Sequence, residues 1–198
     1  MTVTLRQGEA RAVLATLPER SVHMVCTSPP YWAQRRYSGE QTGMIGNEPT
    51  PQAWCDALVE VFRGVKRVLR DDGVLFLNVG DKYAGSGGAG GDYNEGGLKA
   101  GAAGTGPLRS RATRPRGLLT GGTQTVDQGL PSVAVIGYRP KSLMGLPWML
   151  AFALMRDGWI LRQEIIWHKL SPMPESATDR PTRAHEQLFL FSKEPHYF

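Results

Sequence analysis

The residues best arranged for chemistry are Thr27-Ser28-Pro29-Pro30-Tyr31-Trp32, where a hydroxyl, two consecutive prolines and two aromatic rings fall within six positions. Each proline fixes its own φ and restricts the residue before it, so the segment has a rigid shape. The Ser28 hydroxyl and the Pro29 carbonyl can both accept hydrogen bonds, and together they suit a planar amino group. An aromatic amine shares its lone pair with its ring. Two acceptors that hold the amine turn the lone pair toward an electrophile, the geometry needed for methyl transfer to nitrogen. Direct displacement of this kind needs no strong general base, because the amine sheds its proton readily once alkylated.

Tyr31 adds a face on which a base can stack, a contact worth about 1–3 kcal/mol per base in single-stranded complexes. A duplex hides its amines from any such loop. A DNA base would therefore have to be flipped out, and the aromatic ring would offset part of the unstacking cost. The alternative for this segment is a plain structural turn after a strand, and the matching flanks favour the functional reading.

Several elements must position that loop. Val3-Thr4-Leu5 reads as a short buried strand, and Glu9 to Leu17 has helical apolar spacing that ends at Pro18. Ser21 to Thr27 reads as a strand covered on both faces, because Val22-His23-Met24-Val25-Cys26 is nearly all apolar. The prolines then force the chain out at its carboxyl end. From Pro51, the spacing of Trp54, Leu58, Val61, Val65, Val68 and Leu69 predicts a helix stopped by Asp71-Asp72-Gly73, and Val74 to Val79 follows as a strand. This βαβ order predicts an α/β fold, part of a doubly wound Rossmann-like sheet, with Ser28 and Asp81 on one working edge. Asp81 is read as an orienting group or as a helix or turn cap.

Pro147 suits the first turn of a helix reaching about Asp157, with Gly158 as its stop, and Trp148, Met149, Phe152 and Met155 read as its core face. Trp159 to Trp167 and Leu188 to Ser192 read as two further strands. The expected organisation is a catalytic α/β region over 1–83, a flexible basic Gly-rich insertion over 84–131, and the rest of the same domain over 132–198. In the insertion, Lys99, Arg109, Arg111, Arg114 and Arg116 appear with no acid between Glu95 and Asp127. That run suits contact with a phosphate backbone, with a solvated loop as the alternative.

The 198 residues are long enough for one sizeable core, and their 41% hydrophobic and 21% charged content is that of a globular protein. The net charge of +5 is compatible with a polyanionic partner. The two cysteines, Cys26 and Cys55, lack zinc-site spacing and read as reduced and buried; no metal is expected. The longest apolar run, near Met149 to Met155, falls short of the roughly 20 residues that cross a bilayer, and a cytoplasmic protein is expected.

The chain resembles the S-adenosylmethionine-dependent DNA amino-methyltransferases of restriction-modification systems, in the permuted subgroup whose catalytic motif precedes the cofactor motif. The resemblance covers nearly the whole chain. It rests on Thr27 to Trp32, on Gly73-Val74-Leu75-Phe76-Leu77-Asn78-Val79-Gly80-Asp81, on Trp159 to Arg162 through Ile166-Trp167-His168-Lys169, and on Arg180-Pro181-Thr182-Arg183-Ala184-His185-Glu186. The resemblance implies that Ser28 and Pro29 bind the amine, Pro30 shapes the turn and Tyr31 stacks. Ser before Pro-Pro-Tyr implies cytosine-N4 as the target, where Asp would imply adenine-N6. Gln7, Gly8 and Glu9 match a segment that contacts the adenosine end of S-adenosyl-L-methionine, with Glu9 one methylene longer than the commoner Asp; Thr27 is placed with them.

Double-stranded DNA is the expected partner, touched by Trp32, the four insertion arginines, Lys169 and Arg183. His168-Lys169 and Arg183-His185-Glu186 read equally well as phosphate contacts or as hydrogen-bonded structural residues. The Phe-x-Gly-x-Gly loop for the methionine end of the cofactor would lie after Phe198, and Gly85-Ser86-Gly87 and Gly88-Ala89-Gly90 lack the helix that such a loop needs. The expectation is an incomplete enzyme that needs a C-terminal complementing segment or subunit, with a cognate restriction endonuclease as a further partner. The competing classes are a DNA-binding or subunit module without activity of its own, and methylation of RNA or of a protein glutamine.

Overall fold

A computed structural model describes residues 2–33, 44–84, 137–139, 141–172 and 178–197. Three helices and four strands form in the order α1 (Ala10–Ala15), β1 (Val22–Thr27), α2 (Pro51–Val68), β2 (Leu69–Val79), α3 (Leu146–Arg156), β3 (Ile160–His168) and β4 (His185–Ser192). The strands make one mixed sheet in the order β1-β2-β4-β3. β1 and β2 are parallel, and β4 runs antiparallel to both its neighbours. The carboxyl ends of β1 and β2, the start of β4 and the end of β3 therefore share one edge of the sheet.

α2 forms where the apolar spacing requires it. Thr50 caps its first turn by accepting from the Ala53 N–H at 3.1 Å, and Pro51 occupies a position whose N–H would have no helical partner. Its inner face buries Trp54, Leu58, Phe62 and Val65, which pack with Leu75 and Leu77 of β2, Leu150 and Leu154 of α3, and Phe189 and Phe191 of β4. α2 touches both α1 and α3, so this one amphipathic helix joins the layer together.

The structure corrects several expectations. The helix ends at Val68 and β2 starts at once, so Asp71-Asp72-Gly73 is not a connecting turn but a bulge inside β2: Val22 pairs with Leu69, and Met24 already with Val74. Lys193 fastens the bulge, donating to the Leu69 carbonyl at 2.9 Å and to Asp71 at 2.8 Å. Val3-Thr4-Leu5 forms no strand and Val3 and Leu5 lie exposed, because nothing among the described residues pairs with or covers them. β1 is covered incompletely: it is an edge strand of the described sheet, and His23, Met24 and Cys26 are exposed. Cys55 is buried as expected and Cys26 is not. The core face of α3 is Leu146, Leu150, Ala151 and Leu154, which repeat at helical spacing; Phe152 and Met155 point to solvent. No helix among the described residues is long and apolar enough to cross a membrane.

Candidate functional site

The chain leaves β1 at Thr27 and enters the Ser28-Pro29-Pro30-Tyr31 loop at the shared sheet edge. α2 grips this loop from below: the indole N–H of Trp54, wholly buried, donates to the Pro30 carbonyl at 2.9 Å. Further along, Trp32 donates to the Glu48 carbonyl at 2.9 Å, and the Ala33 N–H donates to the Gly46 carbonyl at 2.7 Å. Lys82 closes the other side, donating to the Ala33 carbonyl at 3.0 Å with its ammonium 5.4 Å from the Trp32 ring centre. Burial holds the Lys82 ammonium below its ordinary pKa. The Pro30 carbonyl is thus taken, whereas no described residue donates to the Pro29 carbonyl.

Trp32 is a correction. A DNA-facing ring is expected from the sequence, yet Trp32 is 1% exposed, because its indole belongs to the buried core cluster and its N–H is taken up by the Glu48 carbonyl. Tyr31 lies half-buried with its hydroxyl turned inward. Ser28 donates to the Tyr31 oxygen at 3.0 Å, and Tyr31 in turn stands 3.0 Å from Asn78 Oδ1 and 3.5 Å from Glu186 Oε2. Asn78 is fixed by donating through Nδ2 to the Gln187 carbonyl at 3.1 Å. Glu186 pairs with the Lys169 ammonium. Burial raises the Glu186 carboxyl, and hydrogen bonds from Lys169 and Asn78 together with the Lys169 charge outweigh it, so its pKa lies below the ordinary carboxylate value.

The sheet edge thus brings together Ser28, Pro29 and Tyr31 with Lys169, and it gives Lys169 a carboxylate partner. Arg183 donates to the Gln187 side chain at 2.7 Å. Gln7, Gly8 and Glu9 are exposed ahead of α1, where Glu9 caps the helix by accepting from the Ala12 N–H at 2.9 Å and pairs with Arg11. Arg109, Arg111, Arg114 and Arg116, with the glycine pairs at 85–90, lie outside the described residues. Asp81 is a cap: it accepts from the N–H groups of Gly145 at 3.0 Å and Leu146 at 3.1 Å, opening α3. Two residues escaped the sequence reading as members of the site, Asn78 and Gly80. Asn78 did carry a signal, as a polar residue within the otherwise apolar run Val74 to Val79.

This arrangement presents an exposed hydroxyl, a carbonyl to which no described residue donates, and an aromatic side chain on a rigid loop at the carboxyl edge of an α/β sheet. A model of the DNA methylase family, that of the N6 and N4 methyltransferases, matches residues 22–198. The chain belongs to the DNA methylase family. Among its curated relatives, the type II methyltransferase M.XycI of Xanthomonas campestris pv. cyanopsidis is 45% identical over 98% of this chain and 56% of its own length. The type II methyltransferase M.Cfr9I of Citrobacter freundii is 42% identical over the same shares. This DNA methylase chain therefore spans about half the length of the curated relatives it matches. Two solved structures share its fold. One is the PvuII DNA methyltransferase (cytosine-N4-specific), with a TM-score of 0.56 at 17% identity over 96% of this chain and 49% of that one. The other is a Thermus thermophilus protein assigned as a DNA modification methylase and complexed with S-adenosyl-L-methionine, with a TM-score of 0.54 at 24% identity over 96% and 53%.

Proposed function

We propose that this chain forms the acceptor half of a site that moves a methyl group from S-adenosyl-L-methionine to the N4 amine of a flipped-out cytosine in double-stranded DNA. The observation that carries this reading is an exposed Ser28 hydroxyl next to a Pro29 carbonyl that accepts from no described residue, on a loop gripped by Trp54 and Lys82. The two oxygens accept the amine hydrogens, and Tyr31 forms a wall against the base. Serine at position 28, where the resemblance sets serine against aspartate, supports cytosine over adenine.

S-adenosyl-L-methionine, when bound, supplies an electrophilic methyl on a sulfonium. Gln7, Gly8, Glu9 and Thr27 are the residues that would hold its adenosine end. Their donor set fits: each Glu9 oxygen has one partner from the chain and keeps a lone pair for a hydroxyl. Pro30 fixes the turn. Arg183, Lys169 and the insertion arginines supply positive charge near the DNA backbone, Lys169 while paired with Glu186.

Incubation with tritiated S-adenosyl-L-methionine and a mixed-sequence duplex, followed by digestion to nucleosides, tests the reading. Label on cytosine N4 is expected. Label on adenine N6 would overturn the choice of base, and label only on ring carbons or protein would overturn amine transfer. Calorimetry with S-adenosyl-L-methionine tests cofactor binding separately: micromolar binding supports the assignment, and no binding, by the chain alone or with the C-terminal part of a relative added, would overturn it.

A further inference from the structure

The hydroxyl of Tyr31 has a place in the site that stacking does not explain. Serine and tyrosine hydroxyls each carry a single proton, so each can donate once, and the direction of a chain of such bonds is set at its far end. That end is Asn78. Its Nδ2 must face the Gln187 carbonyl, 3.1 Å away, because a carbonyl can only accept. Its Oδ1 must then face Tyr31, and it too can only accept, so the Tyr31 proton is directed to it across 3.0 Å. The Tyr31 oxygen is left as an acceptor toward Ser28, and it takes the only proton that Ser28 has, across 3.0 Å. What remains on Ser28 Oγ is lone pairs.

Glu186 acts in the same sense. Its Oε2 stands 3.5 Å from the Tyr31 oxygen, and the carboxylate is held ionised by Lys169, so it too can only accept. We propose that Asn78 and Glu186 are positioning residues that act through the Tyr31 hydroxyl to commit the Ser28 hydroxyl as an acceptor toward the substrate amine. The inference rests on the amine-transfer reading above and adds to it the origin of the hydroxyl's direction. Without the chain of bonds, the Ser28 proton is free to turn toward the amine, and one of the two acceptors that hold the amine is lost.

The test is steady-state methyl transfer to duplex DNA by Tyr31→Phe, which keeps the ring and removes the hydroxyl, and by Asn78→Leu and Asn78→Asp. Tyr31→Phe and Asn78→Leu are expected to lower kcat at least about tenfold while KM for DNA stays within about twofold, as for loss of a hydrogen bond made in the transition state. Asn78→Asp keeps the acceptor and is expected to retain kcat within about threefold. Wild-type kcat in Tyr31→Phe, or a loss confined to KM, would overturn the proposal.

A readout independent of turnover is the titration of Tyr31, followed by NMR with 13Cζ-tyrosine. Burial raises this phenol above its ordinary value and the Glu186 charge raises it further, so Glu186→Gln is expected to bring it down. An unchanged titration in a folded Glu186→Gln protein would break the link. If the wild-type chain transfers no methyl group, alone or with the C-terminal part of a relative added, the functional reading fails by itself, and the phenol titration alone decides whether Tyr31 is coupled to Glu186.

Discussion

Gly80 lies directly beneath the Tyr31 ring: a Cβ at position 80 would stand 2.5 Å from Tyr31 Cε2 and 3.0 Å from Cδ2. The strand that ends at Val79 therefore continues as a bare shelf on which the ring rests, and the rest of the site depends on that seat. Gly80→Ala is expected to push the ring away, at about 1–3 kcal/mol for a forced overlap, and to slow methyl transfer by disturbing the Tyr31 hydroxyl. Thermal melts beside transfer assays check this, and a protein with unchanged melting and unchanged transfer would show that the ring has room to move.

Ser28→Ala removes an acceptor without touching the core, because Ser28 is exposed. A hydrogen bond to a charged group is worth about 1.5–3 kcal/mol, so transfer should fall about 10- to 100-fold while affinity for duplex DNA holds within about twofold. Equal losses in transfer and affinity would point to a structural role for the hydroxyl.

Asp81 holds the first turn of α3 through two backbone N–H groups. Gly145, which precedes that turn, has φ 73° and no side chain with which to cap it. Asp81→Ala is expected to cost about 0.5–2 kcal/mol, the range for loss of a helix cap, and to lower Tm by a few degrees. Urea midpoints would measure it, and an unchanged midpoint would show that solvent replaces the carboxylate without cost.

The two thiols should separate cleanly. Cys26 is exposed, whereas burial, aided by the Asp56 charge, pushes the Cys55 thiol up to about 12. Near pH 8, a thiol reagent should label Cys26 quickly and Cys55 only after unfolding. Because the folded value exceeds the ordinary 9.0, burying the neutral thiol stabilises fully below pH 9.0, and that contribution is lost as pH rises from there toward about 12. Fast labelling of both cysteines in the folded protein would contradict the packing around Trp54 and Cys55.

The rigid loop and most of the elements that carry it follow from the order of residues alone. Two prolines after an apolar strand must break out at its end, and the spacing from Trp54 to Val68 admits one amphipathic helix. These are local constraints, set by bonded geometry and by periodicity along the chain. The same order puts Ser28 and Asp81 on one edge, because consecutive parallel strands share their carboxyl ends.

What stands opposite what is a matter of packing in three dimensions. Tyr31 meets Asn78 from 47 positions away and Glu186 from 155 positions away, and no pattern along the chain states those distances. They depend on β4 pairing antiparallel to β2, with Val79 opposite Gln187, which brings Glu186 beside Gly80 and Tyr31. The same packing buries Trp32, whose aromatic character alone suits a DNA-facing surface as well as a core. It also turns Asp71-Asp72-Gly73 from a stop signal into a bulge, since turn residues suit either place and only pairing with β1 selects between them. The Ser28-Pro29-Pro30-Tyr31 loop is legible in one dimension; the partners that direct its hydroxyls are fixed only when the sheet assembles.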